Sequence, residues 1–197
     1  MHHGRVPNDA PDADSRSQKA LLRSTLLQAR AERLAEPHET ELRTSALLAL
    51  TSSASTVAAY CSFGTEPSTD PVLRSWLDRG TRVLLPVVLA DRDLEFRVYD
   101  GRLVSGRLGM ACPPPSAPIV DVAEASVVVV PALACDGIGR RIGRGGGSYD
   151  RVLPRVASDA LTVALLYPEE LLPSVPVEDH DQRVRAVLVG EQVVRCD

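Results

Sequence analysis

Apolar residues recur in this chain first at helical spacing and then in short strand-like runs. Leu22, Leu26 and Ala29 fall on one face of a helix predicted over residues 17–34, with Ser17 as its N-cap. Pro37 suits the first turn of a second helix that reaches about Leu50. The pattern then changes. Thr56–Cys61 reads as a strand, and Ser62-Phe63-Gly64-Thr65-Glu66-Pro67 as a loop. Thr69 is expected to cap a short helix through Arg79, with Pro71 in its first turn and Trp76 packing it onto a sheet. Arg82–Val88 and Leu94–Tyr99 read as two strands, the second antiparallel. Cys112-Pro113-Pro114-Pro115 is a stiff extended connector. Val127–Pro131 is a continuous apolar run of the kind buried on both faces, and Leu161–Leu166 and Val184–Val189 read as two more strands.

Helices interleaved with such strands predict an α/β layered domain with a largely parallel sheet. Residues 1–16 are polar, carry Pro7, Pro11 and several aspartates, and are expected to form a disordered leader before a single domain over 17–197. No apolar run approaches the roughly 18 residues of a membrane helix. The first residues hold no apolar signal core, so a cytoplasmic protein without a membrane partner is expected. The formal net charge of −4 gives no support to nucleic-acid binding. Cys61, Cys112, Cys135 and Cys196 are scattered, with no zinc spacing, and read as reduced thiols.

Candidate chemistry gathers after the Val127–Pro131 run, where an open α/β sheet places its ligands. The stretch Arg140-Arg141-Ile142-Gly143-Arg144-Gly145-Gly146-Gly147-Ser148-Tyr149-Asp150-Arg151 has four glycines in five positions. Glycines let the backbone approach a ligand, arginines hold phosphate or carboxylate, and an aspartate can hold a metal ion. A P-loop is excluded because no lysine follows, and a dinucleotide fingerprint because Ser148 takes the third glycine's place. A different phosphate cradle remains, with the N–H groups of Gly145 to Ser148 facing phosphoryl oxygens and Arg141 and Arg144 adding charge. Asp150, one turn into a following helix, could bind magnesium. Pro154 would kink or shorten that helix. A flexible surface loop is the competing reading. The one lysine of the chain, Lys19, lies four residues before Arg23 on one helix face.

Four segments in order resemble the 5-formyltetrahydrofolate cyclo-ligase family, the methenyltetrahydrofolate synthetases. They are Lys19-Ala20-Leu21-Leu22-Arg23, Tyr60 to Pro67, Val127 to Asp136 with Arg141 to Arg151, and Pro176-Val177-Glu178-Asp179-His180-Asp181. The resemblance implies a three-layer sandwich with a central, mostly parallel sheet, similar to the NagB/RpiA/CoA-transferase-like fold. It implies cyclisation of 5-formyltetrahydrofolate to 5,10-methenyltetrahydrofolate, with ATP as co-substrate, magnesium as cofactor, and ADP and phosphate released. Lys19 and Arg144 would be catalytic. Lys19, Arg23, Arg141, Ile142, Gly143, Arg144, Gly145, Gly146, Gly147, Ser148 and Tyr149 would bind ATP. Phe63, Glu66, Arg144, Gly145, Gly146, Gly147 and Ser148 would face the reduced folate, and Asp150 and Asp181 the metal.

Read without the family, Phe63 could be plain core, Tyr149 could stack on a ligand ring or merely pack, and Asp181 could cap a turn. The family usually places an aspartate where this chain has Arg185, which would put positive charge beside the metal aspartates, and a glutamine is frequent where it has Glu170. A monomer is expected. Two other functions suit the same residues: a folate- or nucleotide-binding relative without turnover, and another small-metabolite phosphoryl-transfer enzyme on the same scaffold. The Phe63–Glu66 turn argues against the latter.

Overall fold

A computed structural model describes residues 10–34 and 36–196. The chain runs through α1 (Ala10–Glu32), α2 (Pro37–Leu50), β1 (Thr56–Ala58), α3 (Asp70–Asp78), β2 (Arg82–Val88), β3 (Leu94–Tyr99), β4 (Val104–Ser105) and β5 (Ala111–Cys112). It continues with β6 (Val127–Pro131), β7 (Ala134–Asp136), β8 (Arg141–Ile142), α4 (Ser148–Val152), β9 (Leu161–Leu166), β10 (Leu171–Leu172), β11 (Ala186–Val189) and β12 (Gln192–Arg195). Seven strands form the main sheet in the order β12-β11-β9-β6-β1-β2-β3. The five central strands are parallel, and an antiparallel strand closes each edge. The α/β class with a mostly parallel sheet is therefore as expected.

Side-chain alternation divides the core in two. Val57, Val127, Val129, Val163 and Leu165 face α2 and α3, where Leu47, Leu73 and Trp76 pack. Ala58, Val128, Val130, Ala164 and Leu166 face the other way, onto Phe96, Val120, Val122 and Val152. Trp76 packs as expected, and its indole N–H donates to Thr51 Oγ1 at 2.8 Å. A third, smaller core lies under α1. Leu22, Leu26 and Leu27 meet Leu133, Ala134, Ile142 and Val175 on a small sheet of order β10-β7-β8.

Several local expectations are corrected. α1 begins at Ala10, so Ser17 is an interior residue and part of the polar leader is helical. The cause is tertiary: Ser15 Oγ donates to the Val177 carbonyl at 2.9 Å, and Arg16 pairs with Glu178, both far away in sequence. Residues 1–9 of that leader lie outside the described residues. Thr69 occupies the N-cap position of α3, but its hydroxyl makes no cap hydrogen bond. It donates to the Tyr60 carbonyl and accepts the Ser62 N–H, which shortens β1 and starts the turn after it. Pro154 does shorten α4, which tightens into a 3-10 turn at Leu153. The strands β4, β5, β7, β8 and β10 have too few residues for alternation to reveal them. Among the described residues no helix is long and apolar enough to cross a membrane.

Gly139 closes the β7–β8 hairpin at φ +78°, with its α-carbon against the Val184 carbonyl. A β-carbon there would overlap that carbonyl oxygen and demand a left-handed backbone from an L-residue. Gly139→Ala should destabilise the protein by at least about 2 kcal/mol, read as a lowered midpoint of urea unfolding. An unchanged midpoint would contradict this packing.

Candidate active site

The strand order reverses between β1 and β6: from β1 the chain moves outward to β2, then returns to β6 on the opposite side. Loops leaving such neighbours diverge and leave a crevice beyond their carboxyl ends. The turn after β1 and the glycine segment after β6 form its two walls.

The β1 wall is tied by short polar contacts. Thr69 and Ser62 exchange side-chain to backbone hydrogen bonds at 3.0 and 3.2 Å. Glu66 Oε2 accepts the Phe63 N–H at 2.9 Å, which turns the Phe63 ring outward. Phe63 is 41 % exposed, so it is not core. Opposite it, Arg144 Nε donates to Glu66 Oε1 at 3.0 Å and Arg144 Nη2 to the Phe63 carbonyl at 3.2 Å. The guanidinium carbon lies 6.0 Å from the centre of the Phe63 ring, within cation–π range. Arg144 thus spans the crevice.

The glycine segment leaves β7 and β8 as a hairpin organised by Asp136. This buried carboxylate accepts the Ile138, Arg140 and Val175 N–H groups and pairs with Arg140 Nε at 2.6 Å. Arg140 is therefore committed to the scaffold. The Ile142 side chain is buried in the small core, and its carbonyl accepts the Leu133 N–H at 2.7 Å, so only its main chain lies along the segment. Arg23 Nε donates to the Gly143 carbonyl at 3.0 Å. The Arg23 guanidinium then lies so close to Gly145 that an added β-carbon would meet it at 3.6 Å, at a residue whose φ is +92°. Among the described residues, the N–H groups of Gly145, Gly146 and Gly147 have no protein partner. Three unpaired donors beside Arg23 and Arg144 make an anion cradle. Ser148 Oγ donates to the Arg92 carbonyl at 2.6 Å, as Arg151 Nη2 does at 2.7 Å, fixing the far end of the loop.

Below the cradle the charges are paired. Arg141 Nη2 donates to Asp150 Oδ1 at 2.6 Å, and that oxygen also accepts the Gln182 N–H at 3.2 Å. Lys19, 3 % exposed, pairs with Asp181 and donates to Glu178 Oε1 at 2.9 Å. Asp181 Oδ2 also accepts the Glu178 N–H at 2.7 Å, so it does cap its turn as well as holding Lys19. A cleft of about 250 Å³ opens here, lined by Arg140, Arg141, Glu178, Asp181 and Gln182. Asp150 and Asp181 reach the same region, joined through the backbone at Gln182. Among the described residues no three His, Cys, Asp or Glu side chains gather as a cage. The donor set fits a magnesium ion that takes most of its ligands from phosphate and water.

Glu178 and Gln182 were not singled out as site residues from the sequence. Glu178 lies inside the Pro176–Asp181 segment, and a carboxylate three residues before Asp181 is its only signal in the sequence. Tyr149 packs into the second core, and its buried hydroxyl has no partner among the described residues. Burial and the nearby Glu66 carboxylate hold its pKa above the usual tyrosine range. Arg185 does not stand beside the aspartates. Its guanidinium donates to the Ser158 and Ala160 carbonyls at 2.5 and 3.0 Å, at the amino end of β9. None of the four cysteines is in a disulfide, and burial pushes the Cys61 thiol up to about 12.

An open parallel sheet with a cationic glycine loop at its switch point defines an α/β protein shaped to hold an anionic ligand. Residues 15–190 match the model of the 5-formyltetrahydrofolate cyclo-ligase family, and the chain belongs to that family. It is 39 % identical over 183 residues to the 5-formyltetrahydrofolate cyclo-ligase of Mycolicibacterium smegmatis, covering 88 % of this chain and 94 % of that protein. It is 32 % identical over 146 residues to the enzyme of the same name from Escherichia coli K12, covering 71 % and 80 % of the two chains. The solved structure of Aquifex aeolicus 5,10-methenyltetrahydrofolate synthetase superposes with a TM-score of 0.80 at 26 % identity, over 90 % of this chain and 92 % of that one. The Mycoplasma pneumoniae synthetase, 16 % identical with a TM-score of 0.70 over 88 % and 99 % of the two chains, shares the fold.

The Lys19 and Arg16 pairings give a pH signature. The Lys19 ammonium, then Arg16, hold Glu178 below its ordinary value near 4.5. A carboxyl whose folded pKa is depressed contributes stability above its unfolded value and loses it as pH falls through the folded one. The stability difference between wild type and Glu178→Gln should therefore be full at neutral pH and shrink as pH falls from the ordinary value near 4.5 through the depressed folded one, read by thermal melts across pH. A difference independent of pH would rule out the ionised pairing.

Proposed function

We propose that the protein catalyses ATP-dependent closure of 5-formyltetrahydrofolate to 5,10-methenyltetrahydrofolate, with release of ADP and phosphate. One observation carries this reading: the glycine segment is tied on one side to α1 through Arg23 and on the other to the Phe63–Glu66 turn through Arg144. Such a loop can hold two ligands end to end. One wall is cationic with free amides and suits the phosphates of ATP. The other offers an exposed aromatic ring and a carboxylate, which suit a flat pterin with N–H donors.

The chemistry asks for positioning and charge more than for a nucleophilic side chain. The formyl oxygen, made electron-rich by its amide nitrogen, attacks the γ-phosphorus, and the β,γ-bridging oxygen leaves with its electron pair as ADP. The second folate nitrogen adds to the formyl carbon and loses its proton. The carbon–oxygen bond then breaks and phosphate departs. Arg144, which spans the crevice, would lie between the two ligands and meet the charge developing on the transferring group. Arg23, Arg141 and the main chain from Gly143 to Tyr149 would line the phosphates. Gly145 to Ser148 would also pass the folate. Lys19 uses two of its three ammonium donors on Glu178 and Asp181, which leaves one for a phosphate oxygen. Asp150 and Asp181 would hold magnesium, which neutralises phosphate charge when bound.

Purified protein given 5-formyltetrahydrofolate, ATP and magnesium should yield a product that absorbs as methenyltetrahydrofolate; no such product over varied pH and magnesium would refute the reading. Lys19→Met should lower kcat/KM for ATP about 10- to 100-fold, the range of a lost charge-assisted hydrogen bond. It should leave the folate KM nearly unchanged, and equal ATP dependence in the two proteins would remove Lys19 from the nucleotide site.

A further inference from the structure

α1 presents one row of side chains to the site. Lys19, Arg23, Leu26 and Arg30 are spaced four, three and four residues apart, which at about 100° per residue keeps them within about 60° on the helix surface. The first two meet the acidic turn and the glycine segment, and Leu26 fills the small core. Arg30 ends the row and takes no part in the site just described.

Arg30 is buried against Glu170 in a two-pronged pair. Its Nε donates to Glu170 Oε1 at 2.5 Å and its Nη2 to Glu170 Oε2 at 2.8 Å. Nη2 also donates to the Ala132 carbonyl at 2.7 Å, and Glu170 Oε2 accepts the Tyr167 N–H at 2.9 Å. Both side chains are only 2 % exposed. Ala132 follows β6 and Tyr167 follows β9, so one guanidinium joins α1 to the carboxyl ends of two adjacent strands. Stability alone does not account for such a pair, because apolar residues of similar volume often replace a buried ion pair without loss. What they cannot supply is direction: a planar fork accepts a carboxylate in one orientation, whereas apolar contacts tolerate slip.

We propose that Arg30 and Glu170 are positioning residues that set the register of α1 along the glycine hairpin and so aim Lys19 and Arg23 at the nucleotide phosphates. The proposal rests on the functional reading above. Lys19 lies eleven residues before Arg30, about 16 Å along the helix axis, so a small tilt or slip at the anchor displaces the ammonium by about 1 Å. A misplacement of that size can cost about a hundredfold in rate. The folate wall is held separately: Thr69, Ser62 and Arg144 fix the Phe63–Glu66 turn by hydrogen bonds in which Arg30 takes no part, and the charge of Arg30, which Glu66 also feels, is removed together with that of Glu170 in the double variant.

The test pairs Glu170→Gln with the double variant Arg30→Met/Glu170→Met, in the full chain. The double variant should melt below wild type, because the Ala132 carbonyl and the Tyr167 N–H lose these partners, but its KM for ATP should rise about tenfold at temperatures well below that melt, and the thermal shift induced by magnesium–ATP should shrink. The KM for 5-formyltetrahydrofolate and the thermal shift that compound induces should stay within about twofold of wild type. Glu170→Gln, which keeps the shape and weakens the fork, should move the same ATP readouts in the same direction by less. Unchanged ATP readouts in Glu170→Gln together with ATP KM values that follow melting temperature would overturn the proposal, as would both KM values rising together. If wild type shows neither turnover nor a magnesium–ATP shift, the functional reading itself fails and the proposal with it.

Discussion

The parallel pairing of β1 with β6, with Val57 opposite Val127 and Ala58 opposite Val128, puts the ends of two divergent loops side by side. Both strands are buried on both faces, so the register is fixed by core packing and cannot slip without exposing valines. The crevice is a consequence of that register. It sets the Phe63–Glu66 turn and the glycine segment close enough for one arginine to bridge them. Neither loop has a hydrophobic core of its own to hold it there.

Charge compensation is the second constraint. Lys19, Arg141 and Arg144 each meet a carboxylate within the site, as Arg30 does beneath it. A buried cation without a partner would cost several kcal/mol, so these pairings keep the cationic wall in place before any ligand arrives. Phosphates bound as proposed would compete for cations that are already oriented, so less side-chain freedom would be lost on binding. The unpaired glycine amides complete the cradle because they need no charge to stay in place.

The departures from the family pattern are absorbed in the same way. Glu170, where glutamine is frequent, has a buried arginine to receive its charge. Arg185 stays with carbonyls at the other end of its neighbouring strand and leaves the aspartates alone. In both places the neighbours supplied by the fold decide what the altered charge does. Position in the motif does not.

The apolar runs alone determined the long strands and the parallel sheet, because a strand buried on both faces must be apolar throughout. Val127–Pro131, Arg82–Val88 and Leu161–Leu166 were legible to the residue in this way, and Leu94–Tyr99 by the alternation of an edge strand. The glycine segment and its place after β6 were equally legible, since glycine clusters flanked by arginine have few structural uses. The start of α1, the hydroxyl of Thr69 and the roles of Glu178 and Arg30 were not. Each depends on a partner far along the chain, such as Val177 for Ser15 or Glu170 for Arg30. Spacing along a helix reports only which residues share a face. Which carboxylate waits opposite that face is decided when the sheet closes and brings distant loops together.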